Sequence, residues 1–509
     1  QIADATERLN YVVTMTEKAA NRTMDLVEQS APLVNDLSDE AQSLSAEWGR
    51  FMRREMGAGR QWLDRVVVLT YAVLAGLAVV LFTLLADQAV ELHQGLAQAV
   101  WWAPLVWTPA LTALVVWSLR RWAPGAAGSG VPQVLTALDT GTPLAARSRF
   151  VSLRLSVAKI IGVTGGLLAG LSIGRQGPSV QVAAGVMLHA RRWLSPASGI
   201  SDRELLVAGG AAGIAAAFNT PLGGIVFAIE ELSRRITERS SGLMLAAIVV
   251  GGLVSVSAFG NLSYFGRIRA DEVSWWALLL PGALVAVVCG LMGGLMARLL
   301  LASFTGLPDR FCAYRRKKPV IFAALCGFLV AVISLISGGE TVGVGHEHTR
   351  MLLDVSAMDT TERDPFVFTG LKFVASWLSA WSGVPGGIFG PSLSLGASVG
   401  GDLAWLLDSP HGAALIALGM CGFLAAVTQT PITAMIIVME MTDGHSMVLS
   451  LMACALVASL VSRMISRPLY SSMSALMMRS LRDGPSTGPD SVPDRAAAPR
   501  PHGPGEQQP

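Results

Sequence analysis

The sequence predicts an all-α polytopic membrane protein whose membrane part is an inverted repeat of tilted and discontinuous helices. Three observations support this prediction: the composition, a series of apolar segments of membrane-spanning length, and an internal duplication. Of the 509 residues, 52% are hydrophobic and only 15% are charged. A water-soluble protein of this size would carry more charge. The duplication indicates two related halves, as in many transporters.

Apolar runs long enough to cross a lipid bilayer recur along the chain. We expect membrane spans within residues 66–86, 101–117, 243–259, 275–296, 320–336, 413–441 and 447–461. Several of these runs are short or interrupted by glycine and proline. In a membrane protein such interruptions predict discontinuous helices that line a protein-enclosed site.

Composition divides the chain into three predicted parts. Residues 1–58 form a short amphipathic helical segment, residues 59–475 the membrane domain, and residues 476–509 a tail rich in proline and glycine. The two halves of the membrane domain should cover about 60–265 and 270–475. The tail has no apolar periodicity, so we expect it to be disordered.

The distribution of arginine predicts the orientation of the chain. Arginines crowd before the first span at positions 50, 53, 54, 60 and 65, and Arg463 and Arg467 lie near the last span. By the positive-inside rule, both termini should be cytoplasmic.

No enzyme motif is present in the sequence. The glycine patterns lack a Walker lysine, and no His or Cys cluster has metal-ligand spacing. We therefore expect no enzymatic activity, no metal or other cofactor and no nucleic-acid partner. The sequence His346-Glu347-His348 is interpreted as a solvated loop.

The duplication is carried by two sets of residues. The pattern Gly-x-x-Gly-Pro-Ser occurs at 174–179 and at 387–392, and each copy opens an apolar run where a helix would begin. In addition, Thr220, Pro221 and Glu230 recur at one constant offset as Thr430, Pro431 and Glu440. Helix N-termini attract anions, so two such helix starts predict an anion site.

Four segments in a fixed order carry a family resemblance. They are Gly128-Ser129-Gly130-Val131-Pro132, Gly174-Arg175-Gln176-Gly177-Pro178, Gly387-Ile388-Phe389-Gly390-Pro391 and Tyr470. Together they resemble the CLC family of chloride channels and chloride/proton antiporters. The resemblance implies a homodimer in a bacterial inner membrane, with a separate anion pathway in each subunit. It further implies chloride as the anion, with bromide and nitrate also expected to pass.

The resemblance also implies the ligands of the anion. An anion that crosses a bilayer exchanges its hydration shell for donors, and neutral donors hold it less tightly than a full positive charge. By resemblance, the hydroxyls of Ser129 and Tyr470 are such donors, and backbone N–H groups supply the rest. The predicted chloride-binding residues are Ser129, Gly130, Gly387, Ile388, Phe389 and Tyr470.

The residue at position 176 decides the predicted mechanism. Arg175, Gln176, Gly177 and Pro178 correspond to the external gate of the family, where the antiporters carry a glutamate. Such a glutamate competes with chloride when ionised and carries a proton when protonated. Glutamine can do neither, and residues 172–182 offer no replacement carboxylate. The sequence therefore predicts passive, proton-uncoupled chloride conduction.

Other ionisable residues receive secondary roles. Glu231 matches the internal proton-transfer glutamate of the family, yet it could also be an interfacial, salt-bridged acid, and both interpretations stay open. Without a proton acceptor at 176, we expect Glu231 to be a relic or to tune anion entry only. Lys159 and Lys372 are expected to raise the local potential for anions, and Glu440 to cap or pair structurally.

The N-terminal segment has a different resemblance. Residues 5–16 and 47–52, within about 1–56, resemble part of the helical hairpin of the chemotaxis phosphatase CheZ. The part of that family with the catalytic aspartate and glutamine has no match, so no phosphatase activity is implied. The segment is either a fusion or a helical bundle that assists dimerisation.

Two alternative functions stay open. The protein could be a chloride/proton antiporter, either with another proton acceptor or with Gln176 as an engineered residue. It could instead be a membrane-anchored signalling or assembly protein in which the N-terminal bundle is the working part. Substitution of Ser129 or Tyr470 separates the signalling or assembly protein from an anion-conducting one, because only a protein that conducts anions would change its anion flux.

Overall fold

The computed structural model describes residues 58–482 except 140, 143, 197, 234–240, 261–274, 306–309 and 354–365, together with 14, 15, 18, 21, 22, 25 and 38–45. Most of the predicted N-terminal segment and nearly all of the predicted tail lie outside the described residues, so the domain boundaries stay predictions. The chain forms two compact units, Gln1–Val67 with Trp193–Gly199, and Val68–Arg192 with Ile200–Pro509. In the first unit, the Ser195 N–H donates to Asp64 Oδ1 at 3.0 Å.

The described chain consists mainly of α-helices. In the N-terminal half they are α1 Ala58–Ala99, α2 Ala103–Trp122, α3 Val131–Leu138, α4 Leu144–Arg147, α5 Leu153–Leu168, α6 Gln176–His189, α7 Asp202–Phe218, α8 Pro221–Phe227 and α9 Ser241–Phe259. In the C-terminal half they are α10 Trp275–Thr305, α11 Arg310–Lys317, α12 Pro319–Ile336, α13 His346–Leu353, α14 Val367–Trp381, α15 Phe389–Leu406, α16 Gly412–Thr428, α17 Pro431–Thr442, α18 Val448–Ile465 and α19 Leu469–Arg482. A π-helical turn, Ala228–Ser233, extends α8.

The predicted membrane spans are confirmed in their main positions. Among the described residues, five helical stretches are long and apolar enough to cross a membrane: Arg60–Ala99, Gly242–Phe259, Ala277–Phe304, Pro319–Ile336 and His445–Ile465. Each overlaps one predicted run. All but the first two residues of the predicted run 101–117 lie within α2, and the run 413–441 is divided between the shorter apolar helices α16 and α17. The chain is therefore a polytopic α-helical membrane protein.

The two halves break a helix in the same way. Asn219 ends α7 with φ 59°, and Gln429 ends α16 with φ 59°. In each break the backbone N–H of this residue donates to the carbonyl four residues earlier. A Thr-Pro pair follows each break, and the proline begins the next helix, where its missing N–H costs nothing. The duplication predicted from sequence is thus present in the backbone.

Paired helices enclose the two glycine motifs. Helix α6 packs along α7, and α15 packs along α16. Small residues allow this close approach: a Cβ on Gly213 of α7 would lie only 2.5 Å from the carbonyl oxygen of Ser179 in α6. Residues 176–187 are all buried. The motif helices therefore lie in the protein core and not at the lipid surface.

Two glutamates connect the halves by capping each other's broken helices. The Glu230 carboxylate accepts bonds from the Thr433 backbone N–H at 2.6 Å and from the Thr433 hydroxyl at 2.7 Å. In return, the Glu440 carboxylate accepts the Gly223 N–H at 2.7 Å. Each carboxylate also accepts the N–H one residue earlier, at 3.2 and 3.1 Å respectively. The expected capping role of Glu440 is confirmed, and Glu230 has the reciprocal one.

Removal of either cap should destabilise the protein. We expect Glu230→Gln and Glu440→Gln each to lower the apparent melting temperature in detergent. Each carboxylate accepts two helix N–H groups, whereas a glutamine would accept only one and would turn its own NH2 donor toward the other. Charge-assisted hydrogen bonds of this kind contribute roughly 1.5–3 kcal/mol. Glu91→Gln, at an exposed position of α1, is the matched control. Unchanged melting of both cap variants would contradict the assignment.

Candidate functional site

A backbone bridge joins the two copies of the glycine motif. The Gly174 N–H donates to the Gly387 carbonyl at 2.8 Å, and the Gly387 N–H donates to the Gly174 carbonyl at 2.7 Å. Two residues beyond each glycine a helix begins, α6 at Gln176 and α15 at Phe389. The first N–H groups of a helix have no intrahelical acceptor and carry partial positive charge. The bridge therefore brings two electropositive helix starts together.

A third helix start, that of α3, contacts the first motif. Gly130 caps α3 with φ 107°, a conformation that favours glycine. A Cβ on Gly130 would lie 2.6 Å from the Gly177 carbonyl oxygen, and a Cβ on Gly177 would lie 2.7 Å from Ser129 Oγ. Glycine is therefore required on both sides of this contact, and it lets Ser129 lie directly against the start of α6.

Two buried hydroxyls mark the centre of the site. Ser129 is 9% exposed and Tyr470 is 2% exposed. The two hydroxyls are neighbours, but within the described part of the chain neither has a partner with hydrogen-bond geometry. The Phe389 ring stacks on Tyr470, with centroids 5.7 Å apart. A buried hydroxyl without a partner is costly, by about 1–3 kcal/mol, so this pair is suited to a ligand that accepts hydrogen bonds.

A small cavity of about 30 Å³ adjoins these hydroxyls. Four of the six predicted chloride-binding residues line it: Ser129, Gly387, Ile388 and Tyr470. Gly130 and Phe389 are their neighbours in sequence. Among the described residues that line this cavity, none carries a carboxylate, ammonium, guanidinium or imidazole group, and the polar groups are hydroxyls and backbone. The volume is close to that of a single water molecule, so the cavity suits one small, weakly held ion.

Two buried lysines support the loops around the site. Lys159 and Lys372 each stand 15 residues before the first glycine of their motif. The Lys159 amine donates to the Gly128 carbonyl at 2.8 Å, next to Ser129. The Lys372 amine donates to the carbonyls of Thr341 and Gly343, at 2.9 and 2.8 Å. The lysines are therefore equivalent in the repeat, and each lies behind the site and not in it.

A larger cavity of about 570 Å³, here called the vestibule, opens beside the first motif. Arg175 lines it and forms an ion pair with Asp87 of α1. Asp87 was missed from the sequence because it lies 88 residues from Arg175. One signal was available: Asp87, Glu91 and Gln94 recur at helical spacing along α1, and all three line the vestibule.

A histidine of the vestibule is held neutral. Burial, together with the nearby Arg175 and Arg350, lowers the pKa of His346 to about 4. It therefore carries no charge at neutral pH, and Arg175 and Arg350 supply positive charge to the vestibule lining. The prediction of a solvated loop for residues 346–348 is wrong, because these residues form the first turn of α13.

Gln176 fills the gap between the two motif helices. Its side chain is buried, and its Oε1 has no hydrogen-bond partner among the described residues. A Cβ on Gly174 would lie 2.6 Å from this oxygen, and a Cβ on Gly390 would lie 2.8 Å from it. Its neighbour Arg175 lines the vestibule, and Gly177, with Pro178 after it, adjoins Ser129. Gln176 thus belongs to the stretch that links the vestibule to the small cavity.

Glu231 is placed by the π-helical turn that follows α8. It is 4% exposed and close enough to act electrostatically on Tyr470. This burial favours the interpretation of Glu231 as an internal glutamate over that of an interfacial, salt-bridged acid. Arg234 and Arg235, which follow Glu231 in the sequence and are the basic groups nearest to it along the chain, lie outside the described residues.

Two family models match the chain. The model described as voltage gated chloride channel matches residues 111–463, and the model described as chemotaxis phosphatase, CheZ, matches residues 1–73. Both resemblances seen in the sequence are therefore confirmed, the second over a short N-terminal stretch.

Individual relatives and solved structures agree with the first match. The chain is 32% identical over 411 residues to the H(+)/Cl(-) exchange transporter ClcA of Cronobacter sakazakii, covering 76% of this chain and 84% of the relative. It is 31% identical to the ClcA of Citrobacter koseri, covering 72% and 77%.

The fold is similar to that of a slow cyanobacterial Cl-/H+ antiporter, with a TM-score of 0.70, 23% identity and coverage of 82% of this chain and 99% of that one. A CLC-type fluoride/proton antiporter has a TM-score of 0.66 at 20% identity, with coverage of 82% and 99%. The extent of the family match and the identity to these relatives show that the chain belongs to the CLC, or voltage-gated chloride channel, family.

Proposed function

We propose that the protein conducts chloride passively across a membrane without exchanging protons. The observation that carries this proposal is Gln176, whose amide is buried between the two motif helices. A carboxylate at this position could compete with an anion for the two helix starts and could release or bind a proton. An amide has the same shape but no charge to compete and no proton to exchange near neutral pH.

The small cavity supports the choice of a halide. In the proposed site, the hydroxyls of Ser129 and Tyr470 and the N–H groups near Ile388 replace the hydration shell of chloride. Because the lining is neutral, binding is weak enough for release, which a conduction pathway requires. The Lys159 amine, one residue away behind Gly128, adds positive potential without touching the ion.

The remaining expectations belong to the same proposal. Bromide and nitrate should pass as well as chloride, and two copies of the chain should form a homodimer in a bacterial inner membrane. Both termini should lie on the cytoplasmic side. The CheZ-like segment, residues 1–58, would then be a cytoplasmic helical bundle, and residues 476–509 a disordered tail.

An antiporter is the second candidate, and two observations favour it. The relatives named above are called exchange transporters, and Glu231 is buried beside Tyr470. In this candidate another acid, such as Asp87 in the vestibule, would replace the missing glutamate. Both candidates require the same anion site and differ only in whether protons move.

Simultaneous recording of chloride efflux and proton uptake in liposomes separates the candidates. We expect wild-type protein to release chloride with no uphill proton movement under an imposed chloride gradient. Gln176→Glu should slow chloride efflux at least severalfold at neutral pH, because the new carboxylate competes for the helix starts. Gln94→Glu is the matched control, since it adds the same charge to the vestibule away from the helix starts.

The outcomes are distinct. Uphill proton movement by the wild-type protein would contradict the proposal, and its loss in Glu231→Gln would identify the acceptor. Equal slowing by Gln176→Glu and Gln94→Glu would show a general charge effect and would remove position 176 as the gate. Unchanged chloride efflux in both Ser129→Ala and Tyr470→Phe would contradict the anion site itself.

The ion pair at the vestibule generates a further prediction. Asp87→Asn should remove a negative charge beside Arg175 and strengthen the attraction of anions, so the chloride concentration for half-maximal flux should fall by about two- to fivefold, as expected for an ion pair whose carboxylate is half exposed. Salt should diminish the effect. Glu91→Gln, which removes a vestibule carboxylate other than the one paired with Arg175, is the control. An equal change in the control would assign the effect to net charge alone.

A further inference from the structure

Two serines outside the predicted site meet at the small cavity. Ser172 precedes the first glycine motif, and Ser376 lies on α14, in the other half of the chain. Their hydroxyl oxygens are 2.9 Å apart, and each residue is 1% exposed. Both line the 30 Å³ cavity together with Ser129 and Tyr470. The Ser172 backbone N–H also donates to Ser379 Oγ at 3.0 Å, which holds the Ser172 backbone against α14.

The hydroxyl pair has one hydrogen more than its own bond uses. Whichever oxygen donates, the other keeps its O–H, and within the described chain no other acceptor for either hydroxyl is recorded. Helical serines commonly donate to the carbonyl four residues earlier, as Ser398 does to Ser394 at 3.0 Å. Ser376 bonds to Ser172 instead. A hydroxyl that already accepts a hydrogen bond is also the stronger donor.

The rest of the cavity wall makes an anion the fitting acceptor. The cavity wall also includes apolar side chains, among them Leu300, Phe304 and Val384. Apolar walls offer no acceptor for the remaining O–H, and a buried donor without an acceptor is unfavourable. Ser129 and Tyr470 present two more hydroxyls to the same space. The polar side-chain groups of the described wall are therefore hydroxyls, and they surround a volume that suits one small ion.

We propose that the Ser172–Ser376 hydroxyl pair, called here the serine pair, is a further anion ligand that sets the anion selectivity of the cavity. This inference rests on the proposed anion conduction and deepens it. Chloride holds its hydration shell more strongly than bromide or thiocyanate, so it needs more donors when it leaves water. Loss of the serine pair should therefore weaken the binding of chloride most and the binding of thiocyanate least.

The test compares serine variants in two measurements. Purified Ser376→Ala and Ser172→Ala are titrated with chloride, bromide and thiocyanate by calorimetry, and efflux of the same ions is recorded from liposomes. We expect chloride affinity to fall about fivefold, as for the loss of one hydrogen bond, with a smaller fall for thiocyanate. Because the two hydroxyls act as one unit, the double variant should differ little from either single one.

Two further variants separate ligand from structure. Ser376→Thr keeps the hydroxyl and should keep the wild-type order of anions. Ser398→Ala removes a buried hydroxyl that bonds within its own helix, so it should leave affinity and selectivity unchanged. An equal fall in affinity for all three anions would overturn the inference. A change in affinity or selectivity in Ser398→Ala as large as in Ser376→Ala would overturn it as well.

Failure of this inference differs from failure of the proposed function. A wild-type protein that carries chloride while both alanine variants keep its anion order would reject the serine pair alone. A wild-type protein without chloride flux would reject conduction. The calorimetric comparison would still decide whether the serine pair binds an anion, since titration needs no transport.

Discussion

The antiparallel bridge between Gly174 and Gly387 is the constraint on which the site depends. It brings one glycine motif from each half into contact, so two helices begin side by side in the protein core. The start of α3 adds Ser129 through a contact that only glycine permits at positions 130 and 177. The reciprocal caps of Glu230 and Glu440 hold the same two halves together elsewhere. The candidate site is therefore built by the contact between the two halves of the repeat.

The chemistry of the site follows from neutral donors in a buried space. Hydroxyls from Ser129, Tyr470 and the serine pair face a cavity without ionised lining, while the lysines lie behind loop carbonyls. Charged side chains line the vestibule instead, among them the pair of Arg175 and Asp87. In the proposed pathway, this separation would let charge attract an anion at the vestibule while neutral ligands hold it in the small cavity.

Sequence predicted most of the fold and the centre of the site, because both are encoded by local patterns. Apolar runs, Thr-Pro helix breaks and duplicated glycine motifs each determine the structure of only the few residues around them. Asp87 and Ser376 could not be predicted in the same way, since they reach the first motif only through tertiary packing. The burial of Glu231 likewise could not be predicted from the sequence, because it depends on the π-helical turn. The prediction of a loop at residues 346–348 was wrong because these polar residues begin a helix.

The reversal potential of the purified protein in a planar bilayer tests the central claim most directly. With a fixed chloride gradient and a varied pH gradient, an uncoupled conductor reverses at the chloride equilibrium potential at every pH. That result is predicted from the buried amide of Gln176 between the two helix starts. A reversal potential that moves systematically with the proton gradient would contradict it, and would show that another acid in this chain carries the proton.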